Sequence, residues 1–224
     1  MTVALIRFKL AAYARSHRLL QPLFVLMLML TIFYAVRASP DAAAVSYANS
    51  AGLLIVVFAW ATRGLLDTEP DAQRVVSMAA AGGPRWEIAA GLGACAAVNA
   101  CMAAVAVIVP LLIGFHGFPP AVMIAQGVLL HLLAVAVGTA LGALTSRPIT
   151  PSPAVSMLAL FGGFAALLLV SYTPVGAVLI PIMRWMRAAN DGTLGADLPL
   201  LALPTLLWSA AGLVAYALLR RTRP

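Results

Sequence analysis

DTEPDAQRVVSMAAAGGPRWE, residues Asp67 to Glu87, is the only long polar interruption between two strongly apolar segments deep inside the chain. It opens as a helix start: the Thr68 hydroxyl is suited to cap the first-turn N–H groups, Pro70 tolerates a first-turn position, and Asp71 puts negative charge where the helix dipole favours it. A short helix over 69–81 is predicted. Gln73, Arg74 and Ser77 fall on one exposed side, while Val75, Val76 and Met78 to Ala81 lie against other apolar surface. Gly82-Gly83 stops the helix, and Pro84 is placed to begin the next one. A solvated loop with one helical turn is the bland alternative, and the setting of the stretch decides between them.

That setting is a bilayer. With 63% apolar and 9% charged residues and a mean hydropathy of +1.01, the chain carries more apolar surface than one soluble core of its length could bury. The first eighteen residues are basic and mixed, and the apolar run behind them has no small-residue cleavage site, so it is expected to be retained as a span rather than removed as a leader. The net charge of +7 does not form a basic groove with interleaved aromatics, so nucleic acid is not an expected partner; the charges sit at the ends of apolar segments. Lys9 is the only lysine among fourteen basic residues, and the abundance of Arg and Ala reads as the coding bias of a GC-rich bacterium.

Working outward, residues 5–18 form a candidate amphipathic interfacial helix, with Ile6, Leu10 and Tyr13 on one side and Arg7, Arg15 and Arg18 on the other. Six spans follow, at 19–36, 45–62, 88–115, 121–144, 154–172 and 200–219. Each suffices to cross roughly 30 Å of hydrocarbon at about 1.5 Å per residue. Basic residues collect in cytoplasmic loops. Placing both termini inside puts eleven of them there, from Arg7 to Arg223, and leaves Arg37, Arg184 and Arg187 outside. The segment from Thr173 to Pro199 contains an apolar piece, Val175 to Ile182, too short to span and bracketed by Pro174 and Pro181. It reads as a re-entrant helical dip with Trp185 near the headgroups, or else as an ordinary outer loop packed on the spans. The expected fold is therefore an all-α polytopic membrane protein of one domain, 1–224.

The seven acidic residues all fall in loops or at span ends, so no carboxylate sits in mid-membrane to carry a proton or bind a cation. His131 lies well inside a span, either as a neutral imidazole bonded to a neighbouring helix or as a proton relay. Asn99 and Gln126 either bond across helices or line a pathway, and Gly138 with Gly142 makes a small-xxx-small pair for close helix approach. Cys95 and Cys101, six apart in an apolar helix, match no metal or redox spacing and read as packing residues. No metal-binding or catalytic motif is found. Lys9 lacks the Gly-rich turn of a Walker A loop, so the chain is not expected to hydrolyse ATP itself.

This arrangement resembles the membrane subunit, or permease, of type-2 ABC exporters, the ABC-2 class, over essentially the whole chain. Ile6 to Arg18 looks like the family's connecting helix, Asp71 to Ala81 like its coupling helix, and Thr173 to Arg187 like the re-entrant helices before its last span. The wording D-A-Q-R…G-G-P-R is the most family-like local text. The resemblance implies a homodimer, or a heterodimer with a similar permease, in a bacterial inner membrane, bound to two separate P-loop ATPase subunits. ATP and Mg would be held by those partners, and no cofactor by this chain. Asp71, Gln73, Arg74, Val75, Ser77, Met78 and Arg85 become the expected docking residues. Arg74→Glu is then expected to uncouple ATP hydrolysis from export while leaving the permease folded. The small outer loops leave out a large external recognition domain. The alternative is an ATP-independent secondary carrier or channel with His131, Asn99 and Gln126 along its route; an accessory membrane protein is a third reading.

Overall fold

An apolar segment in lipid has to satisfy its own backbone hydrogen bonds, and this chain does so as helix almost throughout. The structure, a computed structural model, describes residues 2–221, apart from the side chains at 177 and 179. In chain order the α-helices are α1 (Thr2–Arg15), α2 (Leu20–Phe33), α3 (Ala43–Leu66), α4 (Asp71–Ala81), α5 (Pro84–Ile113), α6 (Ala121–Leu144), α7 (Pro153–Ser171), α8 (Pro174–Leu179), α9 (Ile182–Asn190) and α10 (Leu194–Arg221). A 3-10 turn, Pro40–Ala42, leads into α3. Among the described residues the only β feature is an isolated bridge between Ala38 and Phe115, which ties the end of α2 to the end of α5.

Among the described residues five helices, α3, α5, α6, α7 and α10, are long and apolar enough to cross a membrane on their own. The expected first span is different. Its helical part, α2, has fourteen residues and so rises about 21 Å, short of a bilayer core. It reaches the count of six only when taken with α1, from which it is bent by 74°. The bend sits at His17, which adopts a left-handed φ of 58°. Beyond Phe33 the chain leaves the helix because Tyr34 turns in to pack edge-on against Phe115, with ring centroids 5.8 Å apart, and Ala38 bonds Gly114. Arg223, one of the basic residues counted for topology, lies outside the described residues.

α3 is the centre of the bundle: its apolar stretch is the most buried of the five. α6 runs alongside it in the same direction, with Gly127 against Tyr47, Gly138 against Phe58 and Gly142 against Thr62. α5 closes a second side and α9 a third. Trp185, expected near the headgroups, lies on α9 with its side chain fully buried among the helices. Ile182, Trp185, Ala188 and Ala189 form its inner stripe, and Arg184 and Arg187 point out. Gly52 of α3 leaves room for Ile182 and Met186 of this amphipathic helix, so α9 packs closely on α3 and its inner stripe, Trp185 included, is buried.

Candidate functional site at the junction of α3, α4 and α5

α4 ends as its sequence dictates. Gly82 takes the left-handed conformation at φ 82° and Gly83 lies at φ 133°, with Gly83 N–H returning to the Met78 carbonyl and Pro84 opening α5. Its start differs from the expectation. The helix begins at Asp71 after an extended Pro70, and the Thr68 hydroxyl donates back to the Gly64 carbonyl, 2.8 Å away, instead of capping α4. A threonine one turn beyond a carbonyl at a helix end has this partner within reach before the next helix forms.

The two faces of α4 are also exchanged. Arg74 and Ser77 were expected outside and are buried, while Val75 and Val76 were expected inside and are 56% and 66% exposed. Arg74 turns inward because the unpaired carbonyls at the end of α3 need donors. Its guanidinium reaches the carbonyls of Glu69, at 3.1 Å, and Leu66, at 3.5 Å, and the Asp71 carboxylate at 3.0 Å. Ser77 donates to the Glu69 carboxylate. Gln73 stays exposed, Met78 is half-buried, and Arg85 is exposed with its guanidinium over the Trp86 ring.

Beneath α4 lies a group the sequence reading did not bring together. Lys9 Nζ sits 2.6 Å from Glu69 and 2.8 Å from Glu87, with all three side chains under a tenth exposed. Arg220 of α10 approaches the other oxygen of Glu87 at 3.8 Å. The web continues outward: Asp71 also meets Arg147 at 3.3 Å, the Arg147 backbone N–H donates to Asp67 at 2.6 Å, and Arg63 stands 3.5 Å from Asp67. Burial pushes the Asp67 carboxyl up from the ordinary carboxylate range, against the opposing pull of the Arg147 N–H and of Arg63. Glu87 in the first turn of α5 and Arg220 in the last turn of α10 both suit their helix dipoles. A cavity of ≈ 40 Å³ opens beside Lys9, Glu69, Glu87, Tyr216 and Arg220, enough for roughly one or two waters. The signal for Lys9 was present in the sequence. Leu5, Lys9 and Tyr13 share one helical stripe, and a lysine on the inner stripe of an amphipathic helix requires buried carboxylates.

The polar residues within the spans lie apart from this web. Asn99 is fully buried, and its amide nitrogen is 2.8 Å from Thr62 Oγ1, 3.0 Å from Thr139 Oγ1 and 3.2 Å from the Phe58 carbonyl, which links α5 to α3 and α6. His131 Nδ1 lies 2.8 Å from the Gly127 carbonyl in its own helix and Nε2 3.4 Å from Ser50 Oγ on α3. Gln126 is half-buried near Gly195 at the start of α10. Cys95 is buried and Cys101 exposed, both as free thiols. Asn99→Leu should lower stability by about 1 kcal/mol, the scale of one interhelical hydrogen bond in a membrane bundle, as read from unfolding in bicelles. No change on that substitution would mean that Thr62 and Thr139 satisfy each other without it.

Comparison with known proteins found no matching family model, no matching curated protein and no matching solved structure.

Proposed function

We propose that this chain is the membrane-spanning permease subunit of an ATP-binding cassette exporter, forming the translocation pathway with a second permease copy and driven by a separate P-loop ATPase present in two copies. The observation that carries this reading is the build of α4. It is a short helix at the span ends whose inner residues are tied to α3 and, through Glu69, to Lys9 of α1, whose exposed Asp71 reaches Arg147 in the α6–α7 turn, and whose outer face leaves Val75 and Val76 exposed. A push on that outer face passes into several spans at once, as an external motor requires. Exposed valines outside the apolar spans are unfavourable by about 25 cal/mol for each Å² of apolar surface, and a protein partner relieves that. The partner would hold ATP and Mg, and its nucleotide state would shift the pathway only by gripping α4 differently when open and closed.

The web gathers Lys9, Arg18, Arg63, Arg74, Arg147 and Arg220 at one end of the helices, which the positive-inside tendency assigns to the cytoplasm. On this reading both termini are cytoplasmic in a bacterial inner membrane, and Asp71, Gln73, Met78 and Arg85 rim the dock.

The test belongs on the exposed valines, because Arg74→Glu would also break the inner anchorage of α4 and so confuse uncoupling with misfolding. The tagged chain purified in mild detergent should bring down a P-loop ATPase with measurable activity. Val75→Asp with Val76→Asp should abolish that co-purification while moving the unfolding free energy by no more than about 0.5 kcal/mol, as surface changes do. A chain that purifies alone and moves solute into vesicles without ATP would replace the exporter reading with a carrier or channel.

A further inference from the structure

A second cavity, ≈ 250 Å³ in volume, opens on the far side of Asp67 from the Lys9 web, between the start of α2, the end of α3 and the start of α7. Arg18, Arg63 and Arg147 border it, with Gln21, Ser156 and Trp60. Asp67 is the one carboxylate on its lining, and both of its oxygens are engaged, Oδ1 by the Arg147 N–H and Oδ2 by Arg63. Arg147 also pairs with Asp71, which is itself shared with Arg74. Arg18 gives one N–H to the Asp67 carbonyl at 2.7 Å, and Arg63 bonds Ser156 and Met157. A guanidinium carries five donors, so each of these arginines keeps N–H groups for a further acceptor. Three guanidiniums around a pocket with one committed carboxylate favour an anion with several oxygens, and phosphate matches that fork geometry.

The surroundings say which phosphate. The three elements that bound the cavity all run from it into apolar helix. One and two turns below Gln21 on the same face of α2 are Phe24 and Leu28, both exposed, and on α7 the exposed Phe161 packs edge-on against Trp60 at 5.9 Å. Because α2 and α7 each pack on α3 and not closely on each other, we read the strip of α3 between them, which carries Trp60, as an apolar furrow with the cationic pocket at its head, at the level where spans end. A free phosphate needs no furrow, whereas a phospholipid needs both parts.

We infer that Arg18, Arg63 and Arg147 hold the phosphate of an anionic phospholipid whose acyl chain lies along the furrow between α2 and α7. The inference does not depend on the exporter reading, since it uses neither α4's outer face nor an ATPase.

Native mass spectrometry of the full chain, delipidated and titrated with phosphatidylglycerol or phosphatidylcholine, tests it. Wild type should hold one phosphatidylglycerol in preference to phosphatidylcholine by on the order of tenfold or more, the scale of two or three arginine contacts at a membrane surface. Arg18→Gln with Arg147→Gln should erase that preference; Arg63, the most buried of the three, is left in place so that the fold survives. Arg184→Gln with Arg187→Gln removes the same charge at the opposite end of α10 from Arg220 and should leave the preference intact. Loss of preference in both double variants, or none in wild type, would overturn the site. Inorganic phosphate displacing the lipid at comparable concentration, or binding where phosphatidylglycerol does not, would make the ligand a free anion and overturn the lipid assignment.

Discussion

Lys9→Met should lower the stability of the detergent-solubilised chain by about 3–5 kcal/mol, the range for leaving a buried charge without its partner. The lysine pairs with two carboxylates at once, and both are under a tenth exposed. Without it Glu87 retains Arg220, at the longer distance of 3.8 Å, and among the described residues Glu69's carboxylate retains the Ser77 hydroxyl. Glu69 is therefore the group stranded. Lys9→Met combined with Glu69→Gln should recover more than half of the loss, because the amide still accepts from Ser77 and no longer carries charge. An unfolding titration in mixed micelles, followed by circular dichroism, measures both, and a double-mutant cycle isolates the coupling. If the two losses simply added, Lys9 would be acting through packing of its methylene stem and not through the pair. The same change should loosen α1 from the bundle, since the lysine is α1's charged link to the α4 junction.

Lys9 also marks where sequence ceases to be sufficient. Local chemistry made α4 readable: Gly82-Gly83 and Pro84 fix its end and the start of α5 through backbone conformations that few other residues adopt. Apolar run length made the long helices readable, with α6 running from Ala121 to Leu144, whereas α2 does not fill the apolar run 19–36. What could not be read was set by distant partners. The orientation of α4 depends on Arg74 meeting the Leu66 carbonyl at the end of α3 and the Glu69 carbonyl in the turn after it, so a side chain that by composition belongs in water turns inward and leaves Val75 and Val76 outside. Lys9 meets carboxylates 60 and 78 residues away. The packing of α9 on α3 depends on Gly52 leaving room for Ile182 and Met186, and the early end of α2 on a contact between Tyr34 and Phe115. Each is a tertiary contact that hydropathy does not encode. The pairs within the ionic web are the clearest case, because charges at span ends carry the same topological signal whether they are solvated or paired.

Gly142→Ala should destabilise the chain by about 2–3 kcal/mol, the upper part of the range for overpacking, although alanine is the better helix former by about 1 kcal/mol. A Cβ at Gly142 would stand 2.2 Å from the Ala59 carbonyl oxygen and 2.7 Å from Thr62 Cβ. A carbonyl in the backbone of the central helix cannot swing aside as a side-chain terminus can, so α3 and α6 must separate. Gly138 is held in the same way, its added Cβ falling 2.8 Å from the Ile55 carbonyl. The small-xxx-small pair is thus what lets two parallel helices touch through their backbones. Separation also stretches Asn99's bonds, which reach Thr62 on α3 and Thr139 on α6 from a single nitrogen. Gly142→Ala and Asn99→Leu should therefore be less than additive, because the first already weakens what the second removes. Gly162 on α7 supplies the control: a Cβ there meets nothing within 4 Å, so Gly162→Ala should be neutral or slightly stabilising. If Gly142→Ala behaved like Gly162→Ala, α3 and α6 would have room to part without loss, and their close packing could not be what sets the geometry of the helix ends on which α4 and its ionic web are built.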